Sequence, residues 1–228
     1  MEAKITEVFA SIQGEGIFVG QPQVFIRFAK CNLNCDYCDT VKKGGRPYSV
    51  FEILNLVNNI NSKNAIDTVS VTGGEPLLYP DFLISLLPEL KKRNFNIYLE
   101  TNGTLPLALE KVLDFVDIVA MDMKLPSSNK GKGFWNRHRD FLKIAQKKNV
   151  FVKIIITEST KKEEINKAVA VIDDIDSGIP LVLQPVTPVN RVKKRVSSGV
   201  LREFQKLAKT ALTDVRIIPQ VHKVLGVK

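Results

Sequence analysis

Residues 24–38 read Val24-Phe25-Ile26-Arg27-Phe28-Ala29-Lys30-Cys31-Asn32-Leu33-Asn34-Cys35-Asp36-Tyr37-Cys38. The first five residues are β-branched or aromatic apart from one arginine, and read as a strand. A polar, Asn-rich loop follows at once and holds all three cysteines of the chain. A strand that ends directly in a chemically loaded loop is typical of parallel α/β sheets, where chemistry gathers at the carboxyl ends of the strands.

Working outward, the same alternation repeats. Strand signals recur at 68–71, 96–99, 117–121, 150–156 and 181–183, which with 24–28 makes six, and a further run follows at 215–218. Helix-length segments lie between them, at 49–61, 81–93, 105–113, 134–148, 161–172 and 197–211. Ser49 with Glu52 three residues on has capping-box spacing, and Leu83, Leu86, Leu87 and Leu90 share one helical face. Strand and helix alternating throughout predicts an α/β fold with a parallel sheet and right-handed crossovers. Six units are too few to close an eightfold barrel, so an open, partial βα barrel of about six parallel strands is expected. No linker or low-complexity tract divides the 228 residues, and a single domain over 1–228 is expected.

Lys and Arg number 33 against 24 Asp and Glu, a net charge of +9. The lysines are scattered in pairs and form no basic stripe with interleaved aromatics, so direct nucleic-acid binding is not expected. The charge suits docking of an acidic electron-donor protein. The N-terminus has acidic residues early and no apolar h-region, and no run reaches the roughly 18 apolar residues of a membrane span. A soluble, cytoplasmic protein with reduced thiols is expected.

Three cysteines within 31–38, an odd and clustered set, exclude a disulfide scaffold. Structural zinc wants four ligands, and only the distant His138 and His222 could add one. Three thiolates on a cubane iron–sulfur cluster leave one iron without a protein ligand, open to a small molecule. Other strand ends are equally loaded. Thr72-Gly73-Gly74-Glu75-Pro76 follows the second strand, and glycines there let backbone approach a ligand closely. Glu100 follows the third strand and can accept from ribose hydroxyls, Lys124 and Ser127 follow the fourth, and Gln184 follows the sixth.

The C-x3-C-x2-C spacing resembles the radical S-adenosylmethionine superfamily, whose core is also a partial barrel of six βα units. The resemblance implies a 4Fe–4S cluster on Cys31, Cys35 and Cys38, with S-adenosylmethionine chelating the open iron and yielding a 5′-deoxyadenosyl radical. It implies cofactor contacts at Tyr37, Asp39, Gly73, Gly74, Glu75, Glu100, Lys124, Ser127 and Gln184. Within the superfamily, Gln13-Gly14-Glu15-Gly16 ahead of the cysteine loop, and the ending Ile217-Ile218-Pro219-Gln220-Val221-His222, resemble the 7-carboxy-7-deazaguanine synthases over nearly the whole chain.

That family converts 6-carboxy-5,6,7,8-tetrahydropterin to 7-carboxy-7-deazaguanine with loss of ammonia, towards queuosine or archaeosine. The resemblance places Ile12, Gln13, Gly14, Glu15, Arg27, Thr72 and His222 against the pterin and Thr40 on a magnesium ion. It sets apart an N-terminal substrate segment, 1–22, and a C-terminal tail, 214–228. It implies a homodimer and an electron donor such as flavodoxin. Residues 41–48 form a short bridge where other members are longer. A glycyl-radical-enzyme activating protein, which shares the cysteine spacing, is the alternative.

Overall fold

The computed structural model describes residues 1–38, 44–188 and 192–227. In chain order the strands are β1 (Glu2–Ile12), β2 (Pro22–Phe28), β3 (Arg46–Ser49), β4 (Thr68–Gly73), β5 (Asn96–Thr101), β6 (Ile118–Asp122), β7 (Asn149–Ile156), β8 (Leu181–Pro185) and β9 (Val215–Ile217). The helices are α1 (Val50–Asn64), α2 (Pro80–Lys91), α3 (Pro106–Val112), α4 (Trp135–Ala145), α5 (Lys162–Asp173), α6 (Ser198–Ala208) and α7 (Val221–Leu225). The strands form one sheet, ordered β3-β1-β2-β4-β5-β6-β7-β8-β9.

From β2 through β4 to β9 every pairing is parallel, so the carboxyl ends of these strands share one rim. All six strands expected from the sequence are among them, and the run at 215–218 adds β9. β1 pairs antiparallel with β2, and β3 antiparallel with β1. The two edges, β3 and β9, do not pair, and the barrel stays open.

Alternation along each strand builds two cores. Val69 and Val71, Ile97 and Leu99, Val119 and Met121, and Ile154 and Ile156 belong to the large buried cluster that also takes in the helices' apolar faces. Each helix from α1 to α6 packs against the next, which makes one outer layer. The opposite parity gives Tyr98, Ala120, Phe151 and Val182, a smaller cluster covered by Ile17 and Phe18. Two residues further along the same strands stand Glu100, Asp122, Lys153 and Gln184. The barrel interior therefore has an apolar floor and a polar layer above it.

Local signals act as expected. The Glu52 N–H donates to Ser49 Oγ at 3.3 Å, and the Ser49 N–H donates to Glu52 Oε2 at 2.7 Å, which starts α1 with a capping box. No helix among the described residues is long and apolar enough to cross a membrane. Asp39 and Thr40 lie outside the described residues, as do 41–43 of the expected bridge. The rest of that bridge leads into β3, a strand the sequence reading did not include.

Candidate active site

A cavity of about 660 Å³ opens at the rim of the parallel strands. All three cysteines and Tyr37 line it, from the loop that leaves β2. Thr72, Gly73 and Gly74 enter from β4 and its turn, Glu100 from β5, Lys124 from the end of β6, and Gln184 from β8. Ile12, Gln13, Gly14, Glu15 and Arg27 line it too, with His222 from the tail. Residues more than 200 positions apart in sequence thus meet in one space because their strands end on one rim.

Two expected residues sit elsewhere. Ser127 lines a smaller neighbouring pocket of about 220 Å³, behind Asp36 and Tyr37. Glu75 is fully buried beneath the cavity, and its carboxyl accepts from the Leu77 N–H (3.1 Å), Thr101 Oγ1 (2.8 Å) and the Asn102 N–H (2.8 Å). Burial pushes that carboxyl up to about 7 against those donors. Its visible work is to tie the turn after β4 to the end of β5. Asn102 continues the tie, donating from Nδ2 to Asn32 Oδ1 at 2.8 Å inside the cysteine loop. Asn32 in turn donates to Thr104 Oγ1 at 2.9 Å.

The glycines carry a second constraint besides ligand approach. The Gly74 N–H donates to Phe28 O at 2.8 Å and the Glu75 N–H to Lys30 O at 2.7 Å. A Cβ on Gly74 would stand 2.1 Å from Lys30 O, and one on Gly73, whose φ is +119°, 2.3 Å from the Phe28 backbone. The turn after β4 therefore clamps the chain entering the cysteine loop, backbone to backbone.

A row of alternating charges crosses the polar layer. Glu15 pairs with Lys153. Lys153 reaches Asp122 Oδ2 at 3.3 Å, and Asp122 reaches Lys124 at 2.9 Å. The Lys124 ammonium stands 5.1 Å from the centre of the Tyr37 ring, a cation–π contact. Burial works against the charge on Glu15, yet Lys153, Gln220 and His222 hold its carboxyl at about 2. Beside this row, Glu100 accepts from Gln13 Nε2 (2.9 Å), Thr72 Oγ1 (2.8 Å) and Ser70 Oγ (3.3 Å). Arg27 donates from Nε to Glu7 Oε1 at 2.7 Å, with its side chain 28% exposed.

The tail roofs the Gln13–Glu15 corner. The Val221 N–H donates to Gly14 O at 2.9 Å, and Gln220 Nε2 donates to Glu15 Oε1 at 2.6 Å. His222 lies so close that a Cβ on Gly14 would stand 2.0 Å from its Nδ1. Gly14→Ala is expected to displace α7 and destabilise the protein by about 1–3 kcal/mol, the range for overpacking. Thermal unfolding and limited proteolysis of the tail check this.

Residues 25–160 match the model of the Radical SAM superfamily. The 7-carboxy-7-deazaguanine synthase of Geobacter sulfurreducens is 41% identical over 98% of this chain and 97% of its own length. The chain belongs to the 7-carboxy-7-deazaguanine synthase family of radical S-adenosylmethionine proteins. The synthase of Methanothermobacter thermautotrophicus is 34% identical over the whole chain and 99% of its own length. QueE from Escherichia coli shares the fold, at 22% identity and a TM-score of 0.67, with 97% of this chain and 95% of that one covered.

The residues fit the cluster and cofactor that this superfamily uses. The donor set is three thiols on one loop, all facing the cavity, with the Leu33 N–H donating to Cys31 Sγ at 3.4 Å. Burial pushes the Cys31 and Cys35 thiols up, opposed in part by Lys124. Among the described residues no three His, Cys, Asp or Glu side chains converge as around a single ion. A cubane asks for a wider set, since each thiolate takes its own iron. Cavity-lining Gln184 and Asp122 each hold a buried side-chain oxygen with no hydrogen-bond partner among the described residues, Oε1 and Oδ1, and a polar ligand would satisfy both. His138 is fully buried on α4, its Nε2 3.2 Å from Asn102 O, and lines neither cavity.

Sequence reading did not single out Lys153, and it gave Asp122, Asn102 and Gln220 no role of their own within the motifs that contain them. Lys153 and Asp122 have a detectable signal in hindsight. Each lies two residues after an inner apolar residue, Phe151 and Ala120, just as Glu100 follows Tyr98 and Gln184 follows Val182.

Proposed function

We propose that the chain is a ring-contracting carbon–nitrogen lyase that converts 6-carboxy-5,6,7,8-tetrahydropterin to 7-carboxy-7-deazaguanine and ammonia, in 7-deazapurine biosynthesis. One observation carries this reading: a single cavity is lined both by the three cysteines and by the Ile12–Glu15 corner with Arg27. The whole-length likeness to curated synthases supports it. Product and ammonia together account for every atom of the substrate, so the reaction needs no net oxidant.

The cluster and S-adenosylmethionine, when bound, supply a carbon-centred radical that takes hydrogen from substrate carbon and returns it. The chain's own residues hold and orient the reactants. Cys31, Cys35 and Cys38 hold the cluster. Tyr37, Gly73, Gly74, Glu100, Lys124 and Gln184 contact the cofactor, Glu75 supports the turn, and the family resemblance adds Asp39 and Ser127. Ile12, Gln13, Gly14, Glu15, Thr72 and His222 surround the pterin, whose ring edge offers donors and acceptors that amide, carboxylate and backbone groups match. Arg27 gives Nε to Glu7 and keeps its terminal nitrogens for the substrate carboxylate.

The family resemblance assigns Thr40 to a magnesium ion, for which its hydroxyl would be a suitable hard oxygen ligand. A one-electron donor such as flavodoxin, a homodimeric state and a cytoplasmic site complete the proposal. Anaerobic reconstitution with iron and sulfide, then addition of S-adenosylmethionine, reductant, magnesium and the carboxy-tetrahydropterin, tests it. Carboxy-deazaguanine formed with little net cofactor consumption is the expected result. Accumulating 5′-deoxyadenosine beside intact pterin would overturn the substrate assignment and favour an activating enzyme. Arg27→Ala is expected to raise the pterin KM by about 1.5–3 kcal/mol, the range for a lost charged hydrogen bond. An unchanged KM removes Arg27 from the substrate site.

A further inference from the structure

Lys153 is the one cation among the described residues that bridges the substrate corner and β6, and neither the cysteine motif nor the strand-end motifs predict it. It stands on β7, flanked in the sheet by Asp122 of β6 and Val182 of β8. Its side chain is only 12% exposed and lines the cavity. It meets two carboxylates there, those of Glu15 and Asp122. A buried ammonium with two acid partners is costly to desolvate, and such groups persist where they fix a geometry. Glu15 takes two further constraints, from Gln220 at its other oxygen and from its own N–H, which donates to Gln13 Oε1 at 3.0 Å.

We propose that Lys153 is a positioning residue for substrate selection, holding the Glu15 carboxylate ionised and fixed to accept from the N–H donor edge of an aminopyrimidinone ring. This rests on the pterin reading above. An ionised carboxylate is acceptor-only, so it pairs with a ring edge that presents adjacent N–H groups and leaves an edge of acceptors unpaired. Without a cation beside it, a buried carboxyl protonates, gains a donor and loses that preference. Lys153 acts through Glu15, while Asp122 anchors the ammonium from the opposite side.

A double-variant cycle on reconstituted full-length protein tests this, with the dissociation constant of the carboxy-tetrahydropterin as readout. Lys153→Met and Glu15→Gln are each expected to weaken binding by about 10- to 100-fold, as for a charge-assisted hydrogen bond. The double variant is expected to bind no more weakly than Glu15→Gln alone, because the two residues act as one unit. Iron content and circular dichroism are expected to match wild type. Losses that multiply in the double variant, or wild-type affinity in Lys153→Met, would overturn the proposal. Lys153→Gln, uncharged but polar, takes the place of the methionine variant if that one does not fold, with the same non-additivity expected. A wild-type protein that binds no pterin refutes the substrate reading itself, an outcome distinct from any of these.

Discussion

Cys35→Ala is expected to leave a folded protein that retains little cluster and has no turnover. Cys35 takes no part in either apolar core, and the loop that carries it is held by other means. The Asp36 N–H donates to Ser128 O at 3.1 Å, and Asn32 is tied to Asn102 and Thr104. Loss of the sulfur therefore costs the fold little. The cluster loses one of three protein ligands, and no further cysteine exists to replace it. The measurements are iron and sulfide per chain, the absorbance of the reconstituted cluster, and carboxy-deazaguanine formation. Full turnover in this variant would remove the radical reading altogether.

Gly74→Ala is expected to fail for the opposite reason, with every cluster ligand intact. The added methyl meets Lys30 O at 2.1 Å and the Cys31 nitrogen at 3.0 Å. Both are backbone, so no side chain can swing aside, and either the turn after β4 or the first residue of the cysteine loop must move. Overpacking costs of about 1–3 kcal/mol apply, towards the upper end because the obstacle is rigid. The same shift breaks the bonds from Gly74 and Glu75 to Phe28 and Lys30. Thermal unfolding is expected to show the lost stability, and reconstitution the lost iron. A variant that unfolds at the wild-type temperature and loads a full cluster would show that the clamp is not needed.

Much of the architecture is legible in the sequence because the central strands carry short β-branched and aromatic stretches between helix-length segments. Val69 and Val71 in β4, residues 97–99 in β5, and residues 150–152 with 154–156 in β7 are of this kind. The edges are not legible. β1 has a register shift between Ile5 and Glu7, which breaks the period-2 pattern, and most of its later residues are half-buried. β3 is four residues with a proline, short enough to pass for a loop. At the site, the cysteines and glycines announce themselves by spacing. Glu75 carries the same motif, but its direction, down into the protein rather than into the cavity, depends on Thr101 at the end of β5 and Asn102 just after it. Lys153, inside an apolar strand, and Asp122, at the end of one, look ordinary until pairing sets them side by side.

The tail that roofs the Gln13–Glu15 corner has a consequence for how the enzyme comes into being. A ribosome makes the three cysteines early and the roof last. Gln220, Val221 and His222 follow every parallel strand in chain order. Glu15 and Gln220, which close the corner together, stand 205 residues apart in the sequence, so the entropic cost of that closure is met only once the sheet between them has formed.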